Sequence, residues 1–233
     1  RDKKIVNWDP EAKTTLSNEE VIYKEKTTKL FYLKYKLENS EEFILVATTR
    51  PETIFGDTAV AVNPNDKRFK KLVGKKLIVP LVNRVVPIVG DKSVDSEFGT
   101  GCLKVTPAHS EKDFEIGLRN NLDIIDIFND DASLNGYGMH YKSLDRFTVR
   151  KKIINELDEK GLLDREEDYI HNIALSERTS CVVEPKLSTQ WFVRMKKLSN
   201  PALDLVLNGD IKFYPKKYVK TYKNWLENIR DWN

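Results

Sequence analysis

Residues 46–64 read VATTRPETIFGDTAVAVNP, and a second stretch, residues 99–117, reads GTGCLKVTPAHSEKDFEIG. The first continues an apolar run from Phe43 that has the look of a buried strand. It then turns polar at Thr48, Thr49, Arg50, Glu52 and Thr53 around Pro51. The second repeats the design. Gly99 and Gly101 let the backbone take a tight path, Cys102 to Val105 form a short strand, and Thr106 to Asp113 make the polar edge. Two strands that each end in hydroxyls and charge are expected to face each other across one pocket.

Around these stretches the chain is rich in short β-like runs. Val21-Ile22-Tyr23, Leu30 to Tyr35 and Phe43 to Ala47 precede the first polar edge, and Thr58 to Val62, Leu77 to Val82 and Arg84 to Val89 follow it. Pro80 and Pro87 point to bulges or sheet edges. Many short strands with regular turns predict a mixed, mainly β fold: a closed or nearly closed β-barrel with peripheral α-helices. Ser110 to Asp113 has the shape of a capping box and opens one helix. Ser143 caps a stronger one over Arg146 to Lys160, which Gly161 stops. Residues 129–139 read as a loop and Tyr169 to Val183 as extended chain. Three parts result: a connector over 1–20 with a turn at Asp9-Pro10, the barrel over 21–183, and a second connector over 184–233. The last part carries short helices near Pro201 and after Pro215.

Composition bounds the function classes. Of 233 residues, 40% are hydrophobic and 32% charged, as in an ordinary globular protein, and a net charge of +3 does not by itself imply nucleic acid. No apolar run approaches the roughly 20 residues of a membrane span, so no membrane association is expected. The two cysteines, Cys102 and Cys181, stand in unrelated contexts without a CxxC pair, and the three histidines, His109, His140 and His171, are scattered. Neither a disulfide framework nor a metal site is suggested, and a reducing, cytoplasmic setting follows. Starting at Arg1 and stopping at Asn233, the chain reads as a piece of a longer protein.

The ordered matches Ala47-Thr48-Thr49-Arg50-Pro51-Glu52-Thr53, Gly99-Thr100-Gly101, Pro107-Ala108-His109 and Asp113 closely resemble the editing insertion of the class Ia aminoacyl-tRNA synthetases, the group for valine, isoleucine and leucine. Val6 to Pro10, Gly56 to Pro64, Pro80 to Arg84, Pro87 to Asp91, Ser176-Glu177-Arg178, Gln190-Trp191-Phe192 and Trp225 to Trp232 are most similar to the valine type within that group. Neither the HIGH nor the KMSKS signature of the synthetic site occurs, so no activation of an amino acid is expected. ATP and magnesium would belong to the absent synthetic domain, and no cofactor is expected in this one.

The resemblance implies hydrolysis of threonine from mischarged tRNA for valine. The partners would be the tRNA 3′ end carrying threonine and the rest of the synthetase, with the protein acting as a monomer. Asp113 would bind the substrate's α-ammonium, with Thr48, Thr49 and Thr106 placing substrate and water. Arg50, Glu52, Thr53, Lys104, His109 and Ser110 would line the substrate site, and Lys216, Lys217 and Lys220 would touch the tRNA backbone. Each residue also has a plainer reading. Asp113 closes a capping box, Thr48 and Thr49 are ordinary strand threonines, Arg50 and Glu52 form a structural ion pair, and Lys104 points to solvent. His109 then steadies a turn, and the C-terminal lysines form a solvated face. One departure is Ser110, where the family commonly has aspartate. Two alternatives remain: isoleucine-type editing of valyl-tRNA, and a module that holds or scaffolds the acceptor end without hydrolysis.

Overall fold

The computed structural model describes residues 1–233 and divides into two compact units, Ile5–Leu187 and Arg1–Lys4 with Ser188–Asn233. The first is mainly β. In chain order the strands of the protein are β1 (Asp2–Asp9), β2 (Thr14–Leu16), β3 (Val21–Leu37), β4 (Phe43–Thr48), β5 (Ala59–Val62), β6 (Lys76–Ile78), β7 (Val85–Gly90), β8 (Cys102–Val105), β9 (Leu163–Ser176) and β10 (Glu184–Gln190), of which β1 starts and β10 ends in the second unit. Two helices, α1 (Glu111–Arg119) and α2 (Arg146–Glu159), pack at its periphery. No helix is long and apolar enough to cross a membrane.

Seven strands make one sheet in the order β4-β3-β6-β7-β5-β8, with β9 paired to β3 off this path. The sheet curls until its end strands, β4 and β8, lie against each other, which gives a nearly closed barrel. Strand β5 explains how the core is arranged. Its Ala-Val-Ala-Val sequence is buried on both faces, with Val60 and Val62 in the main core beside Leu33, Tyr35, Val46 and Phe55. Ala59 and Ala61 face the other way, onto Val105 and Ile116 of α1. A strand covered on both sides reads as a continuous apolar run rather than an alternating one. Val149, Ile153 and Leu157, four residues apart on α2, complete the main core.

Several expectations shift in detail. Strand β3 runs unbroken for 17 residues and pairs with β9 from Val21↔Ser176 to Tyr32↔Arg165, through the charged segments Lys24–Lys29 and Arg165–Asp168. Cross-strand pairing overrides the weak β-propensity of those residues. The leading segment is a hairpin, with Trp8↔Thr15 in register, tied down because Asp9 accepts the Glu11 and Ala12 amides and the Ser176 and Thr179 hydroxyls. Strand β6 ends at Ile78, because Leu81 and Asn83 take positive φ in a turn. Helix α2 is capped by Asp145, not Ser143, whose φ is +66°.

The second unit is helical, with α3 (Met195–Leu207) and α4 (Tyr218–Glu227). Tyr222 donates to the Ala202 carbonyl across this pair, and Val193 pairs with Trp232.

Candidate active site

The two stretches meet where β4 and β8 end. A 3-10 turn, Pro51–Gly56, follows β4, and its residues are all buried. Gly56 presses on β8's end so closely that a Cβ there would lie 2.9 Å from Thr106 Cγ2. Gly99, at φ +58°, leaves no room either: a Cβ would sit 2.8 Å from that of Ala47. The Arg50 guanidinium donates to the His109 carbonyl at 3.1 Å, and the Thr58 amide to the Val105 carbonyl at 3.0 Å. Glycine at both contacts is what lets the backbones approach.

Asp113 lies at the centre of the second edge. Ser110 caps α1 by accepting the Asp113 amide at 3.3 Å, but the Asp113 carboxylate does not reach back to close a capping box. It accepts the Thr106 amide instead, at 2.9 Å. The carboxylate is 7% exposed and has no ion-pair partner within 4 Å. Burial pushes its pKa up to about 6, against the lowering pull of the Thr106 amide, Lys104 and Ser110.

Behind Thr106 lies a polar cluster enclosed by the barrel. Asp57 Oδ1 accepts Lys104 Nζ at 2.8 Å and the Thr106 hydroxyl at 2.7 Å, and Oδ2 accepts the Tyr35 hydroxyl at 2.6 Å. Lys104 also donates to Thr106 Oγ1 at 2.6 Å. Lys104 therefore points inward, not to solvent, and is 5% exposed.

On the other edge, Thr48 Oγ1 accepts the Arg50 amide at 3.0 Å, and Thr53 Oγ1 donates to the Arg50 carbonyl at 2.9 Å. The Arg50 amide is thereby taken up. Thr49 is half-buried, and its hydroxyl makes no hydrogen bond within the chain.

Arg50 and Glu52 belong to a buried ionic network. Glu184 receives two bonds from Arg50, at 2.5 and 2.7 Å, and a third from Arg146. Glu52, wholly buried, receives Arg150 at 2.6 and 2.8 Å and Arg50 at 3.4 Å. Charges this deep persist because they are paired and hydrogen-bonded. This geometry matches the ion-pair reading of Arg50 and Glu52 and leaves Glu52 no free edge for a ligand. His109 accepts the Ile127 amide at 3.0 Å beside the Phe128 ring, and burial holds it well below its usual pKa, so the imidazole is neutral. Cys102 is buried, its thiol pushed up to about 12.

Thr106, Ser110 and Asp113 thus stand together after β8, with Lys104 behind Thr106, while Thr48, Thr49, Arg50 and Thr53 stand at the end of β4, tied to the second edge by the Arg50 bond to His109. Lys216, Lys217 and Lys220 belong to the other unit, exposed at the start of α4. Clefts lined by Leu37, Glu42 and Lys75, and by Asn63, Asp66 and Arg68, exclude Thr49 and Asp113. No group of three or more His, Cys, Asp and Glu side chains is placed to hold a metal ion.

Sequence reasoning missed Asp57, Tyr35, Glu184, Arg146 and Arg150. The available signal was an acid, Asp57, two residues before the all-apolar strand β5, and a lysine, Lys104, inside another strand. Either would have to be paired if buried.

Comparison with known proteins fits this architecture. The sequence model described as tRNA synthetases class I (I, L, M and V) matches residues 1–233. A valine–tRNA ligase of Christiangramia forsetii is 58% identical over 233 residues, all of this chain and 27% of that protein. The valine–tRNA ligases of Porphyromonas gingivalis and Thermotoga maritima are 55% and 53% identical, over 98% and 100% of this chain and 26% and 27% of theirs. The chain therefore spans about a quarter of the length of these relatives. On a match along its entire length, the chain belongs to the class I tRNA synthetases of the isoleucine, leucine, methionine and valine group.

Proposed function

We propose that the barrel unit is an editing hydrolase that cleaves the ester of tRNA for valine mischarged with threonine. The observation that carries this reading is Asp113, a nearly buried carboxylate with no cation of its own at the mouth where two hydroxyl-bearing strand ends meet. An unpaired buried carboxylate is costly, and a ligand ammonium in contact with it removes that cost. The α-ammonium of an aminoacyl ester is such a cation.

Valine and threonine are nearly isosteric, and the known discrimination of a valine-type synthetic pocket against threonine is only about 10². A polar second site inverts the preference. It pairs with the threonine hydroxyl, whereas valine leaves buried groups unsatisfied at roughly 1–3 kcal/mol each. In the proposed reaction Asp113 anchors the ammonium, and Thr49 and Thr106 orient the ester and a water with help from the neighbouring ribose hydroxyl. Water attacks the ester carbon, the tRNA leaves with its 3′ end uncharged, and threonine is released. The Thr49 amide is the candidate donor on this edge to the oxyanion that forms when water adds to the ester carbon. Lys216, Lys217 and Lys220 supply point charges for tRNA phosphates, and the parent synthetase acts in the cytoplasm.

Ser110 keeps the non-hydrolytic acceptor-end reading in play, since it offers a capping hydroxyl where an acid would give a second anionic contact. Measuring loss of the threonyl ester with the wild type and with Asp113→Ala tests the proposal. At least a hundredfold slower loss in the variant is expected from removing a charged contact. Undiminished deacylation by the variant sinks it.

A further inference from the structure

We propose that the segment joining β5 to β6 is a docking strip for the tRNA phosphate backbone, in which five lysines hold the acceptor end. The proposal rests on the editing reading only for the identity of the polyanion. Residues 67–76, KRFKKLVGKK, contain six cations and no acid. The whole chain carries +3, so everything outside these ten residues is net −3. Such a local excess on an otherwise acidic chain makes a surface field of one sign.

The strip is held from below. Phe69 and Leu72 pack against the main core, and a 3-10 turn, Lys70–Leu72, lies between them. Gly74, at φ +87°, donates its amide to the Ile88 carbonyl of β7, and the Ile88 amide donates to the Lys75 carbonyl. With the backbone fixed in this way, Lys67, Lys70, Lys71, Lys75 and Lys76 are all exposed. None of the five has an acidic partner in the chain. Arg68 differs: it donates to Asp66 at 2.6 Å and to the Ser96 carbonyl at 2.7 Å, and so braces the neighbouring loop. Five ammonium groups without anions are point charges, suited to phosphates and indifferent to base sequence. A lipid surface fits less well, because Val73 is the one exposed large apolar side chain of the strip.

The strip also adjoins the candidate site. A cleft of about 680 Å³ is lined by Lys67 and Arg68 together with Ser96, Glu97 and Gly99. Gly99 lies against Ala47, the residue before Thr48. An RNA strand whose 3′ end lies at the end of β4 therefore has this cleft, and the lysines at it, next to its backbone. Asp66 is neutralised by Arg68, which leaves Glu97 as the one acid of the cleft without a cation.

The test is equilibrium binding of uncharged tRNA for valine to the chain over a range of salt concentrations. Wild type is compared with the variant Lys70→Gln/Lys71→Gln/Lys75→Gln/Lys76→Gln, with thermal melts confirming the fold. A control, Lys13→Gln/Lys142→Gln/Lys151→Gln/Lys152→Gln, removes the same charge from exposed positions elsewhere in the barrel unit. Each phosphate contact contributes roughly 0.7–0.9 to the slope of log K against log salt. The strip variant should show a slope shallower by about 2–3 and at least about tenfold weaker binding at about 0.1 M salt, with the control within about twofold of wild type. Deacylation of threonyl-tRNA should show a raised KM with kcat held, because the lysines touch the backbone and not the ester. Equal losses in strip and control variants, an unchanged slope, or no tRNA binding by the wild type would overturn the proposal. Tighter binding to phosphatidylserine vesicles than to tRNA would assign the strip to a lipid surface and overturn it as well. A wild type that binds tRNA through the strip but leaves the ester intact would defeat the hydrolase reading alone.

Discussion

Asp113 is a residue whose placement works against the fold. Its folded pKa, about 6, lies above the ordinary aspartate value of about 4, so the folded state holds a proton that the unfolded chain has released between those values. Stability from this group is greatest below about pH 4 and is lost as pH rises through 6, a cost of up to about 3 kcal/mol at neutral pH. Asp113→Asn should therefore raise the melting temperature at pH 7.5 and leave it nearly unchanged at pH 4, while abolishing deacylation. Melting curves at the two pH values check this; destabilisation at pH 7.5 would mean that the carboxylate is structural. Wild-type deacylation should rise with pH through about 6 as the anchor ionises. At this scale the sequence was readable in part. Asp113 stood out through its spacing from Ser110, but its carboxylate accepts the Thr106 amide instead of closing the capping box. The inward turn of Lys104 was not readable, since alternation along β8 gives a side chain's face but not which face is covered.

Among the elements, the junction of β4, the Pro51–Gly56 turn and β8 decides the geometry of the mouth. Gly99→Ala combines a positive φ with a Cβ 2.8 Å from Ala47. It should cost about 1–3 kcal/mol and displace the end of β4, lowering kcat/KM for the threonyl ester more than the melting temperature suggests. Chemical denaturation and ester hydrolysis on the same preparation check it. Glu184 fastens the turn from a distance of 134 residues by holding Arg50, and it holds Arg146 of α2 as well. Glu184→Gln leaves two guanidinium groups short of their anion, and a loss of about 3–5 kcal/mol in urea unfolding is expected. A loss under 1 kcal/mol would show that the network is dispensable. Strand runs such as Phe43–Ala47 were legible because burial on one face imposes a periodic pattern. The β3–β9 ribbon was not, since its Lys- and Glu-rich residues are strand only by virtue of each other.

For the molecule as a whole, acid response separates two kinds of buried carboxylate. Asp9 is fully buried; burial would raise its pKa, but hydrogen bonds from Ser176, the Ala12 amide, Thr179 and Cys181 hold it at about 2. A depressed folded pKa gives stability that is present above about pH 4 and lost as pH falls toward 2, about 2 kcal/mol in all. Asp9→Asn should thus lower stability at pH 7 by about that amount and flatten the acid limb of the unfolding profile. An unaltered profile would contradict the role given to those four donors. The barrel was readable from turn spacing and strand content, whereas its closure depends on contacts between β4 and β8, which are far apart in the sequence and about which local pattern is silent.

Selectivity for the threonyl ester, with Thr49 and Asp113 on its two edges, is the proposed property of the barrel unit. Its most direct test is to incubate the chain with threonyl-, valyl- and isoleucyl-tRNA for valine and to follow ester loss above the uncatalysed rate. Rapid loss of the threonyl ester alone is the predicted result. Equal loss of all three, or loss of the valyl ester in preference, would contradict it.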